Sequence, residues 1–173
     1  MRHKVRVIAL QVLFQRDLRN ISVREVLKYF KIPEGWDQQD NHRMPPDSQD
    51  RPVIRKEQQQ DDRAFFLQLI RGVEEHREEI DRVISSFNVE WPLFRMPTVD
   101  RNILRLAVFE ILYVPEISVG VTINEAVELA KKYSTEDSGK FVNGVLGKLV
   151  RTRESDKVTM LFPGTGRAMK TNG

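Results

Sequence analysis

The sequence predicts an all-α protein, a compact helical bundle of about six or seven helices. Three observations support this fold class. Apolar residues recur at intervals of three and four through most of the chain, which is the spacing of an amphipathic helix. Residues that commonly begin and end helices separate these stretches. No segment alternates between apolar and polar residues for long enough to indicate a strand.

The composition is that of one domain with flexible additions. Of the 173 residues, 40% are hydrophobic and 31% are charged, which is typical of a globular protein. Cysteine is absent, so disulfides and thiolate chemistry are excluded and a reducing compartment fits. No apolar run approaches the ~18 residues of a membrane-spanning helix, and no signal-peptide pattern opens the chain. We therefore expect a cytoplasmic protein without a membrane partner.

The N-terminal segment predicts two helices of basic character. The first covers residues 5–18, where apolar residues form a helical stripe. The second follows Ser22, which can cap it together with Glu25 as a capping box, and ends before Pro33. Cations far outnumber acids here: Arg2, Lys4, Arg6, Arg16, Arg19, Arg24, Lys28 and Lys31. This excess fits either a surface that meets a polyanion or a solvated helix face.

The next two segments contrast in composition. Residues 34–60 are rich in Asp, Gln and Pro, so they bury too little apolar surface to order and predict a long disordered insertion. Residues 61–87 predict one long helix with an apolar stripe. Its acidic residues are spread around the helix instead of converging, which indicates a solvated face and no metal site. The glutamates among them are Glu74, Glu75, Glu78 and Glu79.

Two further helices are predicted beyond a proline-containing turn. Thr98 can cap the first of them, and Asp100 then lies in its first turn, where a carboxylate favours the helix dipole. This helix is apolar on nearly every side, which predicts a central position packed by neighbours all round. Thr122 and Glu125 form a predicted capping box for the following helix.

The last core helix is predicted to begin after Ser134 or Thr135, either of which can cap it. Beyond it the helical pattern lapses, and residues 151–173 predict a flexible basic tail. The predicted organisation is therefore one helical domain over residues 1–150, which contains the insertion, followed by the tail.

The chain carries no signature of an enzyme. It has no phosphate-binding glycine loop, no nucleophile elbow and no His or Cys cluster with metal-ligand spacing. Its histidines, His3, His42 and His76, stand in unrelated contexts. We therefore expect a binding protein that uses no cofactor and no metal.

Nucleic-acid binding has more support. Cations at the first helix can contact phosphates, and sequence reading of RNA needs stacking and hydrogen bonds on unpaired bases. The start of the last helix offers such groups: Asp137, Ser138, Lys140, Phe141 and Asn143. An acid beside RNA makes sense chiefly as an acceptor for a base. The spacing also allows Phe141 to pack into the core instead.

Three segments resemble the NusB family of bacterial transcription antitermination factors: VDRNILRLAVFEILY, INEAVELAKKYS and EDSGKFVNGVLGKL. The opening RHKVRVIALQVLFQ resembles the basic first helix of that family. The resemblance implies a compact helical bundle that pairs with NusE, a small-subunit ribosomal protein. It further implies that this pair binds the boxA element of nascent RNA and joins an RNA polymerase complex that resists termination, notably in ribosomal RNA operons.

The resemblance also implies roles for particular residues. RNA would be contacted by Arg2, Lys4, Arg6, Asp137, Lys140 and Phe141. Phe14 and Asp100 would fall on the NusE-facing surface, with Phe14 standing where the family often has Tyr. A charge reversal at Asp100 is therefore expected to damage pairing with NusE and to spare the fold. A homodimer is an open alternative for the chain without its partner.

Two other functions stay open from the sequence. A similar helical domain precedes certain ribosomal RNA cytosine methyltransferases, so the chain could be a stand-alone accessory domain of that type. It lacks room for their catalytic domain and has no catalytic cysteine. The other alternative is a helical adaptor that binds only proteins, in which the predicted RNA-facing residues would be core or solvated positions.

Overall fold

The computed structural model describes residues 2–31, 54–88 and 91–154. Within these ranges the regular structure is seven α-helices and one 3-10 turn, with no strand, which confirms the predicted all-α class. The helices are α1 (Arg2–Arg19), α2 (Val23–Tyr29), α3 (Ile54–Glu75), α4 (Arg77–Phe87), α5 (Thr98–Tyr113), α6 (Val119–Tyr133) and α7 (Glu136–Glu154). The 3-10 turn is Leu93–Arg95.

The first of two compact units spans residues 1–75 and contains α1, α2 and α3. α1 packs along α3, and α2 contacts both. The core of this unit contains buried apolar residues of α1 (Val5, Ala9, Val12 and Leu13) and of α3 (Phe66, Leu69, Ile70 and Val73). Burial of each large apolar side chain contributes about 1.5–3 kcal/mol, so this core holds the helices together. Arg16 adds two hydrogen bonds to Glu74, of 3.1 and 3.3 Å, between the last turns of α1 and α3.

The second unit spans residues 76–173 and contains α4 to α7. α5 contacts α4, α6 and α7, and every residue from 102 to 111 is buried. The predicted central helix is therefore confirmed. One of its buried polar side chains, Arg105, is neutralised by two hydrogen bonds to Asp81, of 2.7 and 2.8 Å, because a buried charge is tolerated only when it is paired.

The single long helix predicted over residues 61–87 is wrong, since the chain leaves helical geometry at His76. Its backbone angles are φ −101° and ψ 16°, and α3 ends before it while α4 begins after it. The imidazole stacks on the Tyr113 ring of α5 with centroids 4.1 Å apart. No glycine or proline marks the position, so the apolar periodicity continues through the break and conceals it.

Two of the predicted helix caps are also wrong. Thr98 is the first residue of α5 and follows Pro97, so it is not the residue before the helix. α6 begins earlier than predicted, behind Ser118, whose hydroxyl accepts a backbone N–H of the first turn at 3.4 Å. Thr122 and Glu125 therefore lie inside α6 and do not form its capping box.

Hydroxyl residues predicted as helix caps have two different roles in the structure. Thr122 is buried and its hydroxyl donates to Glu110 of α5 at 3.3 Å, so it bonds across helices. Ser22 caps its helix as predicted, by accepting a backbone N–H at 3.2 Å. Of the two cap residues predicted for α7, Thr135 accepts a backbone N–H of the first turn, at 3.0 Å. Such caps satisfy donors that the first helical turn leaves free.

Parts of the predicted organisation lie outside the described residues. Most of the predicted insertion at residues 34–60 and most of the predicted tail at residues 151–173 are in this category. α3 begins at Ile54 and α7 continues to Glu154, so each extends into one of these segments. The domain boundaries drawn at residues 1–150 stay a prediction. Among the described helices, none has the length and apolar character to cross a bilayer.

Candidate nucleic-acid interface

The start of α1 carries the first predicted set of RNA-binding cations. Arg2 and Arg6 both lie over the Phe65 ring of α3, with guanidinium carbons 4.9 and 5.4 Å from its centroid. A cation over an aromatic face is stabilised by the ring quadrupole. Arg2 is half-buried and lies 3.9 Å from the carboxylate of Asp61. These cations therefore contribute to the packing of α1 on α3.

Arg6 is the most buried of the three predicted RNA-binding cations of α1. Its residue is only 3% exposed, so the expectation of an accessible side chain at the surface is wrong. The physical reason is that Arg2 and Arg6 are four residues apart and share one helix face, which α3 covers. Lys4 lies on another face and is exposed.

The start of α7 presents the second predicted set. Asp137 and Lys140 are exposed, and Lys140 donates a hydrogen bond of 3.2 Å to the Asp137 carboxylate. An exposed pair of this kind contributes at most about 1 kcal/mol, so both groups can exchange it for another partner. Phe141 follows them and is partly buried, whereas its neighbour Val142 is completely buried. Val142 therefore occupies the core position, and Phe141 lies at the margin.

The turn before α5 supplies an aromatic neighbour that the sequence analysis did not select. The Trp91 indole meets the Phe141 ring edge-on, with centroids 6.0 Å apart and planes at 89°. Trp91 is 45% exposed and Phe94 is 77% exposed, while the Arg95 guanidinium lies 5.8 Å from the Phe94 centroid. The signal available in the sequence is a pair of aromatics in a proline-containing turn, and only the fold shows their neighbours.

Asp100 is buried and bonded instead of exposed. It is 1% exposed, so the expectation of an accessible carboxylate is wrong. The Ser138 hydroxyl of α7 donates to one of its oxygens, Oδ2, at 2.8 Å. That hydroxyl also lies 3.0 Å from the Ser134 hydroxyl and 2.9 Å from the Thr135 hydroxyl. Asp100 thus anchors the first turn of α7 to the first turn of α5.

The other Asp100 oxygen, Oδ1, is buried without a hydrogen-bond partner among the described residues. An unsatisfied buried acceptor costs about 1–3 kcal/mol, so burial of this oxygen lowers the stability of the fold. Phe14, the second residue predicted to face NusE, is half-buried on α1. Phe14 belongs to the first unit and Asp100 to the second.

Two ionisable groups form a hydrogen-bonded pair between α4 and α5. The Tyr113 hydroxyl donates to Glu79 at 2.7 Å, and burial together with this carboxylate raises the pKa of Tyr113 above its ordinary value. The phenol therefore stays a neutral donor at physiological pH. Across the described residues, no group of three or more His, Cys, Asp or Glu side chains is placed to hold a metal ion.

Comparison with known proteins gives a consistent result. A sequence profile described as the NusB family matches residues 3–151. The transcription antitermination protein NusB of Acidothermus cellulolyticus is 41% identical over 163 residues, which are 94% of this chain and 95% of the relative. The corresponding protein of Bacillus subtilis is 38% identical over 148 residues, covering 86% of this chain and 93% of the relative.

Solved structures agree with these relatives. A structure of T. maritima NusB has a TM-score of 0.66 and 36% identity, and the match covers 87% of this chain and 91% of that one. A crystal structure of the antitermination factors NusB and NusE in complex with double-stranded RNA contains a chain with a TM-score of 0.64 and 28% identity. That match covers 88% of this chain and 98% of the other.

Proposed function

This chain belongs to the NusB family, and we propose that it pairs with NusE and binds boxA-type single-stranded RNA in nascent ribosomal RNA transcripts. The pair would then promote processive transcription by RNA polymerase. Family membership confirms the resemblance stated from the sequence. The family consists of RNA-binding transcription antitermination factors, which confirms the expectation of a protein that is not an enzyme.

The observation that carries the proposal is the composition of the α7 start. An acceptor (Asp137), a cation (Lys140) and an aromatic ring (Phe141) lie within two helical turns at the edge of the core. Recognition of single-stranded RNA requires these three functions, because unpaired bases are stacked on rings and hydrogen-bonded at their edges while cations contact phosphates. The proposal assigns base contacts to Asp137 and Phe141 and backbone contact to Lys140.

The start of α1 contributes phosphate contacts in this proposal. Lys4 is exposed and Arg2 is partly exposed, so the Lys4 ammonium and the Arg2 guanidinium can each approach a phosphate. Arg6 has a different part, because it is buried: it supports the helix from which the other two cations project. RNA affinity would therefore fall as the salt concentration rises. The slope of log affinity against log salt concentration would be proportional to the number of phosphates neutralised.

The partner proposal draws on the relative that was solved as NusB and NusE with RNA. Phe14 would contact NusE from its half-buried position on α1. Asp100 would act from beneath the surface as a positioning residue, by holding Ser138 and the start of α7. The RNA polymerase complex is a further part of the proposal that rests on the family resemblance. A cytoplasmic site of action and a homodimer of the unpartnered chain are proposed as well, as expectations from the sequence.

The test is the affinity for labelled RNA, measured by fluorescence anisotropy with and without NusE. A boxA oligonucleotide is compared with a scrambled one of equal length at about 50 and 200 mM salt. We expect weak binding by the chain alone, tighter binding with NusE, a preference for boxA and weaker binding at the higher salt concentration. Equal affinity for both sequences in the presence of NusE would contradict the proposal.

A further inference from the structure

We infer that Trp91 is a base-stacking residue, on whose indole an unpaired RNA base lies beside Phe141. The inference rests on the proposed RNA-binding function and extends it from α7 to the turn before α5. Neither the sequence pattern nor the proposed contacts of α7 include this residue.

The geometry of the Trp91–Phe141 pair leaves room for a base. The two ring planes are nearly perpendicular, at 89°, so the edge of one ring meets a face of the other. In such an arrangement at most one of the two indole faces is occupied by Phe141. Trp91 remains 45% exposed, although a large aromatic side chain gains stability from burial. A flat ligand that covers the indole would bury this exposed surface and gain the corresponding free energy.

The turn that carries Trp91 is held in place on both sides. Asn88, the buried residue at the end of α4, donates its side-chain amide to the Trp91 carbonyl oxygen. Arg101 of α5 donates to the Leu93 carbonyl oxygen at 3.2 Å. The turn that carries the exposed indole is thus hydrogen-bonded to Asn88 and to α5, so a base that stacks on it orders little additional structure, which lowers the cost of binding.

Two cations close in sequence to these rings favour a nucleic acid as the occupant. Lys140 immediately precedes Phe141 and is exposed, and the Arg95 guanidinium lies over the Phe94 ring in the turn. Aromatic rings interleaved with cations are the arrangement with which proteins bind single strands, where bases stack and the cations track the backbone. An apolar side chain of a protein partner would gain nothing from these cations.

Indole fluorescence provides a direct measurement. The chain has two tryptophans, so the Trp36→Phe variant leaves Trp91 as the single reporter. This full-length variant is titrated with boxA RNA, alone and with a tryptophan-free NusE, while anisotropy of labelled RNA reports total binding. We expect the Trp91 emission to be quenched in parallel with binding, because a base stacked on the indole quenches it.

Affinity measurements on three variants test the same point independently. Trp91→Leu keeps an apolar side chain but no ring, and we expect its RNA affinity to fall about tenfold, which is within the range for loss of one stacked base. Trp91→Phe keeps a ring and is expected to stay within about threefold of the parent. Tyr29→Leu removes a different exposed aromatic and serves as the matched control, with unchanged affinity. Thermal unfolding checks that each variant is folded.

The outcomes separate this inference from the proposed function. RNA binding with unchanged Trp91 emission and unchanged affinity of folded Trp91→Leu overturns the inference and leaves the proposed function in place. Quenching by NusE alone, with no further change on RNA addition, overturns it in favour of a protein contact. Absence of RNA binding by the parent chain, with and without NusE, overturns both.

Discussion

The starts of α1 and α7 both carry polar residues predicted to contact RNA, yet they present these residues differently. At the start of α1, Arg6 is buried over the Phe65 ring. At the start of α7, Asp137 and Lys140 are exposed, and the polar residue that holds the turn from inside is Asp100 of α5. A charged residue near a helix start can therefore be a ligand contact or a structural support. The face of the helix on which it lies decides between these roles.

The largest expected effect concerns the support beneath α7. Asp100→Lys places an ammonium group in a buried position beside the Ser138 hydroxyl, and an unpaired buried charge costs about 3–5 kcal/mol. We therefore expect a severe loss of the free energy of unfolding, measured by urea denaturation. The sequence alone predicts the opposite, that this charge reversal spares the fold.

The matched control for Asp100→Lys is Asp137→Lys, which makes the same exchange at an exposed position. It removes the exposed pair with Lys140 and a first-turn carboxylate, so it should lower the free energy of unfolding by about 1 kcal/mol, well below the loss for Asp100→Lys. If both variants unfold at the same urea concentration as the parent chain, Asp100 is not the anchor described above. Asp100 would then be better explained as a surface contact.

A medium effect is expected from the cations of α1, compared as a pair. Arg6→Met keeps an unbranched apolar stem but loses the contact of the guanidinium with Phe65, and we expect a loss of about 1–3 kcal/mol in unfolding free energy. Lys4→Met should leave stability unchanged and reduce the slope of log affinity against log salt by about one. Urea denaturation and RNA titrations at several salt concentrations measure the two quantities.

This pair of variants sharpens the contrast between support and contact. A stable Arg6→Met protein with a reduced salt slope would mean that Arg6 reaches RNA in solution. An unstable Lys4→Met protein would mean that the exposed ammonium supports the fold. Either result would mean that Arg6 and Lys4 do not divide into a structural support and an RNA contact.

The smallest effect on stability is expected at the α7 surface. Asp137→Asn removes the exposed ion pair with Lys140 and should change the unfolding free energy by less than about 0.5 kcal/mol. The expected change is in discrimination between RNA sequences, because the carboxylate only accepts hydrogen bonds whereas the amide that replaces it also donates them. The ratio of affinities for boxA and scrambled RNA measures it.

Lys140→Met is the matched control for Asp137→Asn. It should weaken binding to both RNA sequences by the same factor, since a phosphate contact carries no sequence information. A uniform loss for Asp137→Asn as well would indicate that the carboxylate does not contact a base.

Much of the helical framework was predictable because its signals are local. The apolar stripe of α1, the largely buried α5 and the Ser22 cap can each be identified from a few neighbouring residues. The break at His76 could not be identified in this way. There the imidazole stacks on Tyr113 of another helix, and a contact between residues distant in sequence leaves no local pattern.

The sequence by itself determined the all-α class and which residue types could serve an RNA interface, because helical periodicity and side-chain chemistry are properties of short segments. The tertiary structure alone decided which of those residues are accessible. Arg6 is covered because α3 brings Phe65 against it, and Asp100 is covered because α7 brings Ser138. Trp91 gains Phe141 as a neighbour in the same way. Burial depends on partners from distant parts of the chain, so packing assigned these three side chains their places.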